Sequence, residues 1–487
     1  MRDLVAGIDS STQSCTVVLR RLSDGAVMAE ARTPHPPVMP PVSEQDPEAW
    51  WQALLAAFAR LSAFLPRIAA LSVGGQGHGL VLLDADDRPL RKAKLWNDTE
   101  PAPDALTLCD RLAAGAWATR TGSVPGPALT VSKLAWTERC HPGLVAQARH
   151  VLLPADYIVY RLCRRAVTER GGGSGTGYLN PFENRWEPDL ADLAVPGIDW
   201  ASRLPTIIAS DARAGTVQPA PGLEDLVGAV VGAGSGDNMT AALGLAIRPG
   251  DTVISVGTSG TIYGVTTIPV CDETGAINGY ADASGNFLPM VTTLNAAKVT
   301  DTFRALMGID VEAFDRLALA ADAGAHGLVL VPYLDGERTP NRPDASGTLV
   351  GLRTGSTRAD LARATVESVL CGLLEGGDLL AAAAVPMDGR LILTGGASRS
   401  LAYRQVLADL TGRPVWCCPM VETAAGGAAV QAAAAMTGRP VGDLATAWAP
   451  TLDLVAEPRQ GEAGPSVRAA YRQAAAETTA QGQGHLR

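Results

Sequence analysis

The feature of this chain that most restricts its fold is a strand–turn–strand pattern that occurs twice. Residues 4–9 and 16–21 are rich in β-branched side chains and are separated by a Ser/Thr turn, and a third strand is expected over 26–33. The pattern returns at 252–257 and 261–266, again around small hydroxyl residues. Short β-branched runs bounded by turn residues predict strands. Because the chain repeats its opening pattern, we predict that it folds into two similarly built α/β halves.

The boundary between the halves is expected where a helix-like stretch, 238–246, meets Pro249-Gly250. Proline and glycine interrupt helices, so this dipeptide is typical of a junction. At roughly 150 residues per domain, 487 residues predict about three domains or two large ones. We therefore predict an N-terminal domain over residues 1–247 and a C-terminal domain over residues 248–487.

The composition excludes some classes of function. The chain has 40 Lys and Arg against 50 Asp and Glu, a net charge of −10, so it is not expected to coat nucleic acid or an anionic membrane. Eight cysteines without a CxxC pair suggest neither a zinc site nor a disulfide framework and fit a reduced cytoplasm. Acidic Asp3 and Asp9 interrupt the first apolar stretch, and no unbroken apolar run approaches the roughly 20 residues that span a bilayer. Neither a signal peptide nor a membrane helix is expected.

Two turns have the residue types that bind phosphate. In Asp9-Ser10-Ser11-Thr12, the carboxylate can hold Mg²⁺ or its waters, while backbone N–H groups and hydroxyls face an anion. Gly257-Thr258-Ser259-Gly260 offers a similar cradle in the second half. Each turn alone is more often explained by plain turn chemistry, in which Asp and Ser bond their own backbone. Their recurrence in corresponding places favours polyphosphate binding.

A glycine-rich segment, Gly232 to Gly236, connects an apolar strand expected over 226–231 to Asp237 and a helix. This order places Asp237 at a helix N-terminus, where a ligand can reach its carboxylate. The alternative is an N-cap aspartate, whose side chain accepts hydrogen bonds from the helix backbone. Capping does not account for the small residues that precede Asp237, so a functional role is favoured.

Three further segments carry polar or flat surfaces suited to a ligand. Gln76-Gly77-His78 presents an amide and an imidazole between glycines, as a polyhydroxylated ligand requires, although a lone loop histidine is often only a surface residue. Trp96-Asn97-Asp98 adds an amide and a carboxylate, and Gly395-Gly396-Ala397 suits a flat base lying against the backbone. The chain has no glycine-rich loop ending in Gly-Lys-Ser/Thr and no GxSxG segment, which excludes P-loop and serine-hydrolase chemistry.

Nine segments, in this order and context, resemble the FGGY family of carbohydrate kinases, most closely its xylulokinases, over nearly the whole chain. They are GIDSSTQS at 7–14, SEQDPEAWW at 43–51, GQGHG at 75–79, LWND at 95–98, LLPADY at 152–157, GSGDN at 234–238, SVGTSG at 255–260, PYLDGERTP at 332–340, and the stretch from LTGGASRS at 393–400 to RQVLADLTG at 404–412.

This resemblance implies two actin-like (RNase H-like) α/β domains with ATP and a sugar in an active-site cleft between them. It implies that Asp9 is linked to Mg²⁺ and that Asp237 is the catalytic base on the sugar hydroxyl, the N-terminal domain being the sugar side and the C-terminal domain the nucleotide side. The implied sugar contacts are Gln76, Gly77, His78, Asn97, Asp98, Asp237 and Asn238. The implied ATP contacts are Ser11, Thr12, Gln13, Gly257, Thr258, Ser259, Gly395, Gly396 and Ala397.

The chain departs from the xylulokinase pattern in three places. Gly77 stands where the family commonly has methionine, and Thr99-Glu100 stands where it has glycine and arginine. The family's acidic and small segment of the type Ser-Asp-Ala-Ser-Gly-Thr is replaced by residues 168–176. These changes concern the sugar side, so they leave kinase chemistry in place and the identity of the acceptor open.

The sequence therefore predicts an ATP-dependent kinase that converts D-xylulose to D-xylulose 5-phosphate. Another pentulose or a polyol, such as ribulose or a glycerol-like compound, is the first alternative. An actin-like ATPase without a sugar acceptor and a non-catalytic sugar-binding regulator are the others. The oligomeric state stays open, with a homodimer as one alternative.

Overall fold

A computed structural model describes residues 2–38, 41–420, 422–459 and 463–484. The chain divides into two compact units, each made of three segments. The first unit contains residues 1–247, 267–288 and 420–450, and the second contains residues 248–266, 289–419 and 451–487. The sequence predicted one junction after residue 247, and nothing in its composition indicated the two later segments of the first unit.

The strands, in chain order, are β1 (Leu4–Ser10), β2 (Ser14–Arg21), β3 (Val27–Pro34), β4 (Glu44–Gln45), β5 (Ile68–Gly75), β6 (Val81–Leu83), β7 (Ala93–Lys94), β8 (His150–Leu152), β9 (Val167–Glu169), β10 (Leu179–Asn180), β11 (Arg185–Trp186), β12 (Thr206–Ile208), β13 (Arg213–Thr216), β14 (Val230–Gly232), β15 (Ser235–Gly236), β16 (Thr252–Val256), β17 (Gly260–Tyr263), β18 (Asn278–Ala281), β19 (Phe287–Thr293), β20 (Val329–Val331), β21 (Thr348–Val350), β22 (Leu391–Thr394), β23 (Val415–Cys417) and β24 (Asp453–Ala456).

The helices are α1 (Pro47–Arg60), α2 (Ala102–Arg111), α3 (Ala114–Thr121), α4 (Thr130–Cys140), α5 (Pro154–Cys163), α6 (Arg170–Gly173), α7 (Pro188–Ala194), α8 (Trp200–Arg203), α9 (Asp237–Gly244), α10 (Ala297–Met307), α11 (Val311–Ala320), α12 (Arg358–Ala382), α13 (Leu401–Thr411), α14 (Thr423–Thr437), α15 (Val441–Ala447) and α16 (Gly464–Gly484).

The first unit is built on a mixed sheet with the strand order β13-β14-β5-β1-β2-β3, and β15 also pairs with β5. Strands β1, β2 and β3 form the antiparallel meander that the sequence predicted. Strand β5 then pairs in parallel with β1, and β14 pairs in parallel with β5. Alternating buried side chains of β1 and β2 pack with helix α1 in one apolar core.

The second unit repeats this arrangement with the strand order β19-β17-β16-β22-β23-β24. Strand β16 pairs antiparallel with β17 and parallel with β22, as β1 does with β2 and β5. Strands β23 and β24 correspond in the same way to β14 and β13. The repeat that the sequence predicted is therefore confirmed as a repeat of sheet topology.

Two predicted elements differ in their bounds from those observed. The amphipathic pattern of residues 48–65 predicts a single helix, but α1 ends at Arg60 and is followed by a 3₁₀ segment, Ser62–Arg67, which contains Pro66. At this end Leu61 leaves helical backbone geometry, and its N–H donates to the Phe58 carbonyl three residues back. The strand expected over 226–231 is shorter, since residues Glu224–Leu226 form a 3₁₀ turn and β14 begins only at Val230.

Helix α14 belongs to the first unit although it lies near the end of the chain. It packs against β1 and α9 at distances that only glycine permits. A Cβ added at Gly7 would lie 1.8 Å from the carbonyl oxygen of Ala425, and one added at Gly427 would lie 1.8 Å from that of Thr240. Because α9 begins at Asp237, this close packing fixes the helix that carries the predicted base.

Among the described residues, no helix combines the length and the apolar character needed to cross a lipid bilayer.

We predict that Gly7→Ala destabilises the protein by about 1–3 kcal/mol or more, because the added methyl group overlaps a backbone carbonyl that cannot rotate away. Urea unfolding of the two proteins measures the difference. The matched control is Gly442→Ala in helix α15, where no atom of the described residues lies within 4 Å of the added Cβ. Equal midpoints for Gly7→Ala and the wild type would contradict the close contact between α14 and β1.

Candidate active site

Three of the predicted site segments lie at the ends of three neighbouring parallel strands of the first unit. Strand β5 pairs in parallel with β1 and with β15, and the two pairings align their last residues: Gly75 lies opposite Ser10 on one side and Gly236 on the other. The next residues along the chain are Ser11, Gln76 and Asp237. In open α/β sheets, ligands bind beyond the carboxyl ends of parallel strands. The register alone therefore brings three of the predicted segments to one edge of the sheet.

Asp9 lies next to the end of β1 and has an unsatisfied oxygen. Its Oδ1 is buried and finds no hydrogen-bond partner among the described residues. Burial is the largest cause that raises the pKa of Asp9 well above its usual range, followed by the negative charges of Asp237 and Glu422, while Arg32 partly offsets them. A carboxylate oxygen without a donor, beside two other acidic groups, is suited to a bound cation, and Mg²⁺ prefers oxygen ligands.

Asp237 is the first residue of α9, and Gly236 occupies the N-cap position. The N-cap alternative for Asp237 is therefore wrong. Its Oδ1 instead accepts hydrogen bonds from the backbone N–H of Asn238 at 2.7 Å and from the Asn238 Nδ2 at 3.0 Å. Burial raises the pKa of Asp237 to about 6, and the hydrogen bonds from Asn238 limit the increase. A carboxylate with a pKa closer to neutral is a stronger base than an ordinary aspartate.

Thr12 connects three of the predicted loops. Its hydroxyl donates to the Gln76 Oε1 at 3.4 Å and accepts from the Trp96 Nε1 at 3.0 Å. The Gln76 Nε2 and the Asn97 Oδ1 are buried, and neither has a hydrogen-bond partner within the described part of the chain. One donor and one acceptor are thus left unsatisfied on neighbouring loops, as expected where a hydroxylated ligand completes the hydrogen bonds.

His78 is held from several sides in a strained conformation. Its φ of +64° is uncommon for a residue other than glycine. Its carbonyl accepts from the Thr130 hydroxyl at 3.1 Å, and its Nε2 lies 3.2 Å from the Tyr280 hydroxyl. Gly175 lies against the ring so closely that an added Cβ would be 1.9 Å from the His78 Nδ1. The imidazole therefore has a defined position, which a residue that selects a ligand needs.

Asp98 is buried and bonded within the protein. Its Oδ2 accepts from the Lys94 Nζ at 2.8 Å and from the Ser43 backbone N–H at 2.9 Å, and its Oδ1 accepts from the Glu100 N–H at 3.0 Å. Lys94 is fully buried and also lies 2.5 Å from Glu100 and 3.2 Å from Glu44. The three carboxylates lie close enough together to hold a metal ion, but the Lys94 ammonium pairs with all three and Arg91 also pairs with Glu44, so cations of the protein already occupy this cluster. A sugar contact by Asp98 stays a prediction.

The six predicted nucleotide residues of the second unit follow two neighbouring strand ends. Strands β16 and β22 pair in parallel with Ser255 opposite Thr394, so the segment 257–259 and the segment 395–397 follow adjacent strand ends. Gly395 has a φ of +79°, and a Cβ added there would lie 2.5 Å from the Val256 carbonyl oxygen. Thr258, Gly395 and Gly396 are exposed. The two segments thus lie side by side with exposed backbone, while Ala397 is buried. Their contacts with a phosphate and a flat base stay a prediction.

The sequence analysis did not identify Tyr280 or Glu422, although both lie beside predicted site residues. Tyr280 belongs to the segment 267–288 and Glu422 to the segment 420–450, which join the first unit from later parts of the chain. Neither residue stands in a turn or a motif that marks it. Only tertiary structure brings these side chains to His78 and Asp9.

The N-terminal domain model of the FGGY family of carbohydrate kinases matches residues 4–244, and the C-terminal domain model matches residues 252–436. The chain belongs to the FGGY family of carbohydrate kinases. The resemblance stated from the nine sequence segments is confirmed, and so is the two-domain α/β fold that it implied.

Curated FGGY relatives cover most of this chain. A xylulose kinase from Streptomyces coelicolor is 41% identical over 457 residues, which are 93% of this chain and 93% of that protein. A xylulose kinase from Streptomyces rubiginosus is 40% identical over 446 residues, 91% of this chain and 90% of that protein. Among solved structures, a xylulose kinase from Bifidobacterium adolescentis is 33% identical with a TM-score of 0.83 and covers 97% of this chain and 99% of its own.

We predict that Gly175→Ala raises the KM for the sugar acceptor and leaves the KM for the nucleotide unchanged, because the added methyl group displaces the His78 ring. Steady-state kinetics with each substrate varied in turn checks this. Gly126→Ala is the matched control, since nothing in the described residues lies within 4 Å of its added Cβ. An acceptor KM that changes equally in both variants would exclude a role for the position of His78.

Proposed function

We propose that this chain is a xylulose kinase, which transfers the γ-phosphoryl group of ATP to the terminal primary hydroxyl of D-xylulose and forms D-xylulose 5-phosphate. Xylulose kinases about 40% identical over nine-tenths of their length support the reaction. The structural observation that carries the proposal is the common edge of β1, β5 and β15, where Gln76 and Asp237 directly follow aligned strand ends and Asp9 is the last residue but one of β1. A base, a polar binding loop and a metal-binding carboxylate are the parts that phosphoryl transfer needs.

We assign Asp237 as the general base. Its pKa of about 6 leaves the carboxylate ionised at neutral pH yet more basic than an exposed aspartate. Its Oδ1 is occupied by Asn238, which fixes the orientation of the group. Both bonds from Asn238 go to Oδ1, so Oδ2 is the oxygen that we assign to accept the proton of the attacking hydroxyl.

We assign the hydroxyl groups of the sugar to the unsatisfied polar atoms around Thr12. The Gln76 Nε2 would donate to a sugar oxygen, and the Asn97 Oδ1 would accept from a sugar hydroxyl; neither atom has a partner in the described part of the chain. The imidazole of His78 would add a further contact from its fixed position beside Tyr280. Each of these hydrogen bonds would satisfy a buried polar group. A buried polar group without a partner costs about 1–3 kcal/mol of stability.

The residues present fit a magnesium ion at Asp9. The evidence for this fit is the buried Oδ1 without a donor and the acidic neighbours Asp237 and Glu422. When bound, Mg²⁺ neutralises charge on the phosphates of ATP. Asp9 would hold the ion or one of its waters.

We place the nucleotide on the second unit. The exposed turn at 257–259 offers backbone N–H groups and hydroxyls to phosphate, and the segment 395–397 offers bare backbone to the adenosine. On the first unit, the predicted phosphate contacts are Ser11, Thr12 and Gln13. The hydroxyls of Ser11 and Thr12 already donate within the protein, so we expect their contribution to be mainly the N–H groups of the turn.

One observation favours a second acceptor. A Cβ added at Gly77 would meet nothing within 4 Å in the described residues, so there is open space beside Gln76 and His78. That space would admit an acceptor longer than a pentulose, for example a hexulose. The same kinase mechanism applies to either acceptor, and a substrate panel distinguishes them.

We predict that ADP formation from Mg²⁺-ATP rises at least about tenfold when D-xylulose is added. A coupled assay across pentuloses, hexuloses, polyols and sugar acids measures this, because the assay responds to ADP and not to the product sugar. The highest kcat/KM is expected for D-xylulose. Equal ADP release with and without every sugar would instead indicate an ATPase without an acceptor.

We predict that Asp237→Asn lowers kcat by about 10²–10⁴-fold, because asparagine keeps the shape of the side chain and cannot accept the proton. The KM values for ATP and the sugar are expected to change by only about a few-fold, since ground-state binding is retained. Thermal unfolding is the control for folding. If Asp237→Asn retained wild-type kcat, Asp237 would have no role as the base.

A further inference from the structure

Glu169 is a buried carboxylate that the proposed mechanism does not use. It ends strand β9 and is only 1% exposed. In the part of the chain that the structure describes, no Lys, Arg or His donates a hydrogen bond to it, and the neighbouring Arg170 interacts with it only through its charge. Burying a carboxylate without a cation is costly unless hydrogen bonds compensate. Glu169 must therefore be held by neutral donors, and their identity indicates what it does.

The four donors come from three parts of the first unit. The Oε2 accepts from the backbone N–H of Gly171 at 2.8 Å and from the Ser210 hydroxyl at 3.4 Å. The Oε1 accepts from the N–H of Gly172 at 2.6 Å and, in a short hydrogen bond, from the Ser235 hydroxyl. Two of these bonds cap helix α6, and the bond from Ser235 connects α6 to strand β15.

The bond to Ser235 matters because Ser235 lies two residues before Asp237. Strand β15 consists only of Ser235 and Gly236, which pair with Gly74 and Gly75 of β5. So short a strand has few backbone hydrogen bonds of its own to hold its position. Ser235 is 3% exposed, so its hydroxyl bond to Glu169 is shielded from water.

Helix α6 packs directly on the same segment. A Cβ added at Gly172 would lie 3.3 Å from the backbone nitrogen of Gly236, and one added at Gly171 would lie 3.1 Å from the Met239 side chain. Because residues 171 and 172 are glycines, α6 can pack against Gly236 and Met239, which lie before and after Asp237 in the chain. Glu169 connects α6 to β15, since its Oε1 accepts from Gly172 on α6 and from Ser235 on β15.

We propose that Glu169 is a positioning residue for phosphoryl transfer: through the Ser235 hydroxyl it fixes the segment 235–236 and thereby the direction in which the Asp237 carboxylate points. The proposal rests on the proposed function of Asp237 as the base. Glu169 touches neither substrate nor reacting atoms. It would act by setting the distance and angle between the Asp237 carboxylate and the sugar hydroxyl. A displacement of a catalytic group by about 1 Å can lower the rate by about 10²-fold.

Three variants test the proposal: Glu169→Gln, Ser235→Ala and the double variant, each assayed with Mg²⁺-ATP and D-xylulose. Each single variant is expected to lower kcat by roughly 10- to 100-fold, with the KM for ATP unchanged within about threefold. The double variant is expected to have about the kcat of the slower single variant, because residues that act through one bond are not additive. A purely structural role would lower the unfolding midpoint and leave the kcat of the folded enzyme unchanged.

Glu187→Gln is the control for the loss of a buried carboxylate elsewhere in the first unit. Glu187 immediately precedes helix α7 and accepts from the Asn180 Nδ2 at 3.0 Å, and unlike Glu169 it forms ion pairs with Arg120 and Arg185. None of these partners belongs to the segment 235–237. We expect Glu187→Gln to lower the thermal unfolding midpoint without changing kcat. Equal losses of kcat in Glu187→Gln and Glu169→Gln would overturn the proposal, because stability alone would then account for both.

The remaining outcomes are distinguishable. Wild-type kcat in folded Glu169→Gln, or independent and additive losses in the two single variants, would overturn the positioning role while leaving the kinase proposal intact. If Glu169→Gln does not fold, Ser235→Ala alone decides, and full kcat in that variant overturns the role. If the wild type forms no ADP with any sugar of the panel, the proposed function fails and the positioning role fails with it.

Discussion

The parallel pairing of β5 with β1 on one side and β15 on the other is the constraint on which the candidate site depends. Backbone hydrogen bonds fix its register, so Ser10, Gly75 and Gly236 lie side by side and the chains leave the sheet at one edge. A shift of one residue in either pairing would turn every following side chain to the opposite face. The separation of Asp9, Gln76 and Asp237 is therefore set by the sheet, and the loops only complete the site.

The same edge carries a cost in stability. Asp9, Gln76 and Asn97 each bury one polar atom that has no partner among the described residues, and each such group costs about 1–3 kcal/mol. Two acidic side chains, Asp237 and Glu422, further raise the pKa of Asp9. Close packing of α14 on β1 and α9 gives rigidity to this region, because the backbones meet where only glycine fits. Strain and unsatisfied groups concentrate where a ligand would satisfy them.

Sequence patterns predicted the elements whose signal is local. The meander β1–β3 and strand β16 lie within a few residues of their expected bounds, since each depends on its own side-chain pattern. The end of α1 and the start of β14 were wrong because 3₁₀ segments take over at both boundaries. The alternative that Asp237 caps α9 was wrong by one position, because Gly236 takes the cap. Local spacing does not resolve a shift that small.

By itself the sequence determined the repeated sheet, the family, and the segments that carry the candidate catalytic residues, because these depend on residue type and order along the chain. Only the tertiary structure decided which residues from distant parts of the chain contact these segments. Tyr280 reaches His78, Glu422 lies beside Asp9, and Glu169 bonds Ser235, in each case across sequence separations over which no periodic pattern extends. The burial that raises the pKa of Asp237 is likewise a property of packing, since the same aspartate in an open turn would keep its ordinary acidity.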